Sequence, residues 1–159
     1  MQYLDALEAL GADQPYQAIT GVANVPLIWG PHTLVPGIEL AGKLAGEMPL
    51  SSRFALGGFT KLSGYQDREL NGQYSGLARL IYLYRLNQTS KAFSVPMYAG
   101  ASLEVGNVWN TTSAIGLGHL RGAGSLFLGI DSPLGPLYLA NGFAQGGHQS
   151  LYFFLGKTF

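Results

Sequence analysis

The stretch LARLIYLYRL, residues 77–86, separates its side chains by parity. Its even positions from 80 to 86 are leucine or tyrosine, whereas its two arginines, Arg79 and Arg85, are at odd positions. Successive side chains of a β-strand point to opposite faces, and this alternation therefore predicts a strand rather than a helix. It also predicts that one face of the strand is apolar and that the other is polar.

The same alternation recurs in residues 33–45, 95–106 and 124–132, where the charged residues share a parity with small or polar ones. Those charged positions and the two arginines form a set of candidate inward-facing residues: Glu39, Lys43, Arg79, Arg85, Glu104 and Asp131. We interpret the set as structural ion pairs, with a selectivity lining as the alternative. Asp131 also begins a Pro-rich turn, which explains an aspartate there better than acid catalysis does.

Counting such segments gives eight predicted strands, at 17–29, 33–45, 53–61, 74–87, 93–106, 122–132, 136–145 and 149–159. Residues 2–10 are a candidate for another. Turn residues separate the segments, as in NQTS (87–90) and AQGGH (144–148), and tight turns make neighbouring strands antiparallel. We therefore expect an all-β fold, an antiparallel meander of about eight long strands.

The chain's 159 residues are consistent with a single domain over 1–159, in which residues 1–14 form a partial strand or a linker. Only 11% of the residues are charged, against roughly 25% in average soluble domains. The segments also reach the roughly 9–11 residues that a tilted strand needs to cross a bilayer. These features favour a transmembrane β-barrel or half-barrel whose apolar face meets lipid. A soluble eight-stranded barrel that binds a small apolar ligand remains the alternative.

Several kinds of function are not expected from this composition. Nine basic and nine acidic residues are spread singly, which disfavours nucleic-acid binding. The chain has no cysteine, and its histidines (His32, His119 and His148) are far apart, so we predict no metal and no cofactor. The Gly-x-Ser-x-Gly elbow of serine hydrolases is absent, and Ser125 lies in an alternating strand. We therefore predict no catalytic residues and no enzymatic activity.

Four motifs occur in a fixed order: FALGGFTKLSGYQDRELNGQY (54–74), GNVW (106–109), DSPLGPLYLANGF (131–143) and SLYFFLGKTF (150–159). In this order they resemble the C-terminal outer-membrane β-barrel of bacterial patatin-like phospholipase autotransporters, which are related to the BamA-type surface-antigen superfamily. The resemblance runs from about Glu8 to Phe159. It covers the C-terminal half of a barrel thought to have about sixteen strands, which implies a truncated or short gene, a missing N-terminal half or a second copy.

The wider superfamily carries an Arg-Gly-Tyr or Arg-Gly-Phe element in the loop after the LGG glycines. That element reaches into the barrel lumen and contacts a strand. The matching residues here are Leu62, Ser63, Gly64 and Tyr65, with serine where the superfamily has arginine. The resemblance implies that these four residues shape a lumen loop, without the charge-assisted contact that arginine would make.

The last motif places Leu151, Phe153, Leu155 and Phe159 on one parity. Outer-membrane barrels typically end in such a strand with a terminal aromatic residue, which the barrel-assembly machinery recognises. The resemblance gives these four residues the role of assembly signal.

Taken with the alternation, the resemblance predicts an outer-membrane β-barrel segment that acts as the membrane anchor or translocation barrel of a patatin-like or BamA-related surface protein. The partners it implies are outer-membrane lipids, the assembly machinery, and a second copy or a missing N-terminal half.

Overall fold

A computed structural model describes residues 2–6, 16–86, 95–132 and 135–155. Its strands are β1 (Gln2–Ala6), β2 (Tyr16–Asn24), β3 (Leu27–Trp29), β4 (His32–Ala45), β5 (Phe54–Leu56), β6 (Leu70–Gly72), β7 (Tyr74–Arg85), β8 (Met97–Trp109), β9 (Arg121–Ser132), β10 (Gly135–Ala144) and β11 (His148–Leu155). The fold is all-β and consists mainly of one antiparallel meander sheet, as the alternation predicts.

The main sheet has the strand order β1-β2-β4-β7-β8-β9-β10-β11, and every neighbouring pair is antiparallel. β3 pairs with β4 beyond the end of β2, so the single strand predicted over 17–29 is divided at Val25 and Pro26. Within the described residues β1 and β11 are the two edges, and no recorded pairing joins them. Residues 7–10 and 156–159, which complete two predicted strands, lie outside the described ranges.

The prediction of a long strand over 53–61 is wrong. Only Phe54–Leu56 forms a strand there, and it pairs with Leu70–Gly72 in a separate two-stranded sheet. The chain turns at Gly57 and Gly58, whose φ angles of +122° and +97° are accessible to glycine and strained for other residues. These glycines direct residues 46–73, which we call the inner loop, off the sheet and onto one of its faces.

The face opposite the inner loop, which we call the outer face, is apolar and exposed. Across β4 and β7 to β11, no Asp, Glu, Lys or Arg occupies an outer-face position. Leu103 on β8 is 69% exposed and Leu151 on β11 is 73% exposed. Other exposed outer-face residues are Ile38, Leu40, Leu44, Leu80, Tyr82, Tyr84, Val105, Leu126, Leu128, Leu139, Phe143, Phe153 and Leu155.

The buried core lies between the inner loop and the other face of the sheet, the inner face. Phe59 of the inner loop packs against Phe127 of β9 with ring centroids 5.1 Å apart in an edge-on arrangement. It also packs against Phe154 of β11 at 5.5 Å, and Ile81 of β7 belongs to the same cluster. A second cluster joins Leu56, Leu62 and Tyr65 of the loop to Leu77 of β7. The loop therefore supplies much of the core.

Replacing Phe59 with alanine is expected to lower the free energy of unfolding by about 3–5 kcal/mol, since it removes a buried ring and leaves a cavity. Leu50→Ala is the matched control because Leu50 is in the same loop but is 74% exposed. Denaturant unfolding of both variants measures the difference. Equal destabilisation by the two substitutions would contradict a core organised by the loop.

Candidate functional site

Two opposite charges on neighbouring strands bind the turn at residues 60–63 of the inner loop. Arg79 of β7 and Glu104 of β8 lie directly opposite each other in the sheet. The Arg79 Nη1 group donates to the carbonyl of Thr60 at 3.3 Å. Glu104 accepts hydrogen bonds from the Ser63 backbone N–H at 2.5 Å and from the Ser63 hydroxyl at 2.7 Å. Each end of the turn is thus held by a charged side chain.

Glu104 is only 4% exposed, so its carboxyl group needs hydrogen-bond donors in place of water. The hydroxyl of Ser102, on the same strand, donates to its Oε1 atom at 2.5 Å. The hydroxyls of Ser102 and of Ser125 on β9 lie 2.6 Å apart. The Ser63 contacts and this chain of hydroxyls embed the carboxyl in a buried polar network. Its members come from the loop, β8 and β9.

Two glycines allow the tip of the inner loop to lie directly on β10. Gly64 has a φ of +111°, and a Cβ atom there would come within 2.5 Å of the Ala144 backbone nitrogen. A Cβ atom on Gly142 of β10 would come within 2.8 Å of the Gly64 nitrogen. The backbones of loop and strand approach each other too closely for any side chain at either position.

Tyr65 extends the contact of the loop to β9 and β11. Its hydroxyl accepts a hydrogen bond from Arg121 Nη1 of β9 at 3.1 Å. Its carbonyl accepts one from the hydroxyl of Tyr152 on β11 at 2.9 Å. Ser150, also on β11, donates to the carbonyl of Gly64 at 2.9 Å. The loop therefore bridges strands that are far apart in the sheet.

Leu62, Ser63, Gly64 and Tyr65 are all buried, and the structure brings them together on the inner face. Ser63 occupies the position where the resemblance expects arginine, and its hydrogen-bond partner is Glu104. The sequence did not reveal the contacts of Arg121, which lies outside the quoted motifs, or of Tyr152, which lies in SLYFFLGKTF on the parity opposite the assembly-signal residues. Ser125 lies in an alternating strand, as predicted, but the sequence did not indicate its contact with the Ser102 hydroxyl.

The six charged candidates share the inner-face parity. Among the described residues, no salt bridge joins two of the six. Glu39 accepts a hydrogen bond from Lys61 of the inner loop at 3.3 Å, and Lys43 lies 2.8 Å from Glu47. The hydrogen bond and charge of Lys43 lower the pKa of the exposed Glu47 carboxyl below its usual value. Apart from Arg85 and Asp131, these charges contact the loop.

Arg85 and Asp131 lie at strand ends and are exposed. The Arg85 guanidinium donates to the hydroxyl of Tyr98 at 3.1 Å and lies over its ring. Of the residues assigned to the assembly signal, Leu151, Phe153 and Leu155 are exposed on the outer face, and Phe159 lies outside the described residues.

The hydrogen bonds of this arrangement hold the inner loop against the sheet. The Ser63 hydroxyl is fully buried and hydrogen-bonded to Glu104, so it is not accessible to a substrate. In the part of the chain that the structure describes, no group of three or more metal-ligating His, Asp or Glu residues occurs. The same part contains no helix long and apolar enough to cross a membrane.

No protein-family model matches the chain, and neither does any curated protein.

Substituting Glu104 with alanine is expected to lower the free energy of unfolding by about 1–3 kcal/mol, because it leaves the buried Ser63 N–H without its acceptor. Glu104→Gln keeps one carbonyl oxygen and should cost less. Glu47→Ala, which removes an exposed carboxyl group, is the control and should leave stability nearly unchanged. Thermal unfolding, with protease cleavage between residues 57 and 69 as a local readout, measures both effects. Similar results for Glu104→Ala and Glu47→Ala would contradict the role of this network.

Proposed function

We propose that the chain is an outer-membrane β-barrel segment, the membrane anchor or translocation barrel of a patatin-like or BamA-related surface protein, with no catalytic residues of its own. The observation that carries the proposal is the outer face, where exposed leucines and aromatic residues cover β4 and β7 to β11 without an acidic or basic side chain. A bilayer solvates such a surface, whereas in water it would promote association.

Strand length supports the same proposal. β7 runs for 12 residues from Tyr74 to Arg85. At about 3.3 Å per residue and a tilt of roughly 40°, such a strand rises about 30 Å, close to the hydrocarbon thickness of a bilayer. β4, β8 and β9 have 14, 13 and 12 residues. The central strands are therefore long enough to span the membrane.

Aromatic residues at both ends of the outer face match the girdles of outer-membrane barrels. At one end, His32 stacks on Trp29 and Tyr82 with ring centroids 5.9 and 6.0 Å apart, and its Nδ1 atom lies 2.7 Å from the Tyr82 hydroxyl. At the other end, Tyr74 is directly opposite Trp109. Tyr138 of β10 lies on the inner face, where its ring packs against Phe59.

The soluble, ligand-binding alternative requires the opposite arrangement of faces. A soluble barrel directs its apolar parity inward and leaves room for a ligand. Here the inner face carries Arg79 and Glu104 and is covered by the inner loop, while the opposite face exposes leucines such as Leu103 and Leu126. Because the loop occupies the inner face, the geometry favours an anchor over an open channel.

Leu103→Arg tests the proposal. On the lipid-facing side of a barrel near mid-bilayer, arginine is expected to destabilise the folded protein in lipid vesicles by about 2–4 kcal/mol. Leu117→Arg is the control, since Leu117 is even more exposed but lies in the connection between β8 and β9. Its effect should be about 0–1 kcal/mol.

The measurement is denaturant titration of folding into phospholipid vesicles, followed by tryptophan fluorescence. If Leu103→Arg is as harmless as Leu117→Arg, the outer face meets water and the proposal fails.

A further inference from the structure

The two edges of the main sheet run in opposite directions. The strand path contains eight strands, and each is antiparallel to its neighbour, so β1 at one edge is antiparallel to β11 at the other. The free edge of β11 carries a row of backbone N–H and C=O groups. Among the described residues, no strand pairs with this edge. In the interior of a bilayer such groups have no water to bind, and an open edge is strongly disfavoured.

The inner loop prevents the sheet from closing on itself. A barrel of eight strands has an interior just wide enough for its own side chains or for one small ligand. Here the inner face also holds a folded segment of the backbone, including the two-stranded sheet of β5 and β6. The loop binds Glu39 on β4 and Tyr152 on β11, so its contacts extend across six of the eight strands in the path. Closure therefore needs more strands than this sheet contains.

We propose that a second copy of the chain supplies those strands, so that β11 of each copy pairs antiparallel with β1 of the other in one closed barrel of two subunits. This inference rests on the membrane location proposed above. The even number of strands makes the two edges complementary in direction when both copies have the same orientation in the membrane. A two-fold axis along the barrel forms both junctions at once and satisfies both edges.

The faces of the two copies also match in this arrangement. Residues directly opposite in an antiparallel pair point to the same face, so in the appropriate register the junction joins the two outer faces. Leu151, Phe153 and Leu155 on the outer face of β11 would then continue the apolar surface from one copy to the next. Both inner loops would lie inside the larger barrel.

The chain has no cysteine, which permits a direct test by disulfide formation. One variant carries Leu151→Cys on β11, and its partners carry Tyr3→Cys, Leu4→Cys or Asp5→Cys on β1, each with a different affinity tag. Neighbouring strand positions alternate between faces, so the three β1 sites sample both faces and adjacent registers. The variants are folded together into phospholipid vesicles and oxidised.

At least one mixture of β1 and β11 variants is expected to give about tenfold more disulfide-linked heterodimer than the controls, because a disulfide needs Cα atoms within about 7 Å. The first control mixes a β1 variant with Leu128→Cys, an exposed outer-face site on β9 away from both edges. The second is Leu151→Cys alone, since β11 does not meet β11 in the proposed barrel. Predominant β11-to-β11 crosslinks would overturn the arrangement.

The mass of the unmodified protein provides a test that does not depend on any substitution. Native mass spectrometry from detergent micelles is expected to give twice the 16.9 kDa of one chain. A monomer that is folded in vesicles would overturn the second copy and leave the membrane proposal standing. A monodisperse monomer in buffer without detergent would overturn both.

Discussion

The rest of the structure depends on the hydrogen bonds between Glu104 and Ser63. A carboxyl group at this depth is unfavourable unless donors surround it, and the inner loop brings two of them, the N–H and the hydroxyl of Ser63. The partner of Glu104 in the neighbouring strand, Arg79, holds Thr60 at the other end of the same turn. With the turn fixed, Phe59 is held in the aromatic cluster of the inner face.

The inner face therefore combines polar and apolar contacts with the loop. The loop provides hydrogen-bond donors for Glu104 and packs Phe59 against Ile81 and Phe127 of the sheet. The apolar parity is consequently left outside, where Leu103 and Leu126 project from the middle of their strands. An apolar surface outside a filled interior that also holds charged side chains is the arrangement expected of the proposed membrane barrel.

The strands could be predicted from the sequence where the alternation of apolar and polar residues is visible within a single segment. Alternation with period two is a property of each strand alone, so LARLIYLYRL was enough to place β7 and to assign Arg79 to the inner face. The strand predicted over 53–61 was too long because FALGG begins like a strand, and the break depends on positive φ angles at Gly57 and Gly58.

The candidate site was less predictable because its contacts are long-range. Glu104 is 41 residues from Ser63, and Tyr152 is 87 residues from Tyr65. The LSGY motif marked the loop half of the site, but no spacing rule identifies the strand residues that bind it. The register of β8, β9 and β11 sets those pairs, and register is a property of the whole sheet.

The most direct test of the central claim compares two adjacent positions of β9 that share a depth but face opposite ways. Leu128 is exposed on the outer face, whereas Phe127 is buried against Phe59. Each is replaced by tryptophan in a chain whose Trp29 and Trp109 are phenylalanine, and quenching by lipids brominated on their acyl chains is measured in vesicles. Strong quenching is expected for Leu128→Trp and much weaker quenching for Phe127→Trp. Equal quenching at the two positions, or none at either, would contradict the proposed orientation of the outer face toward lipid.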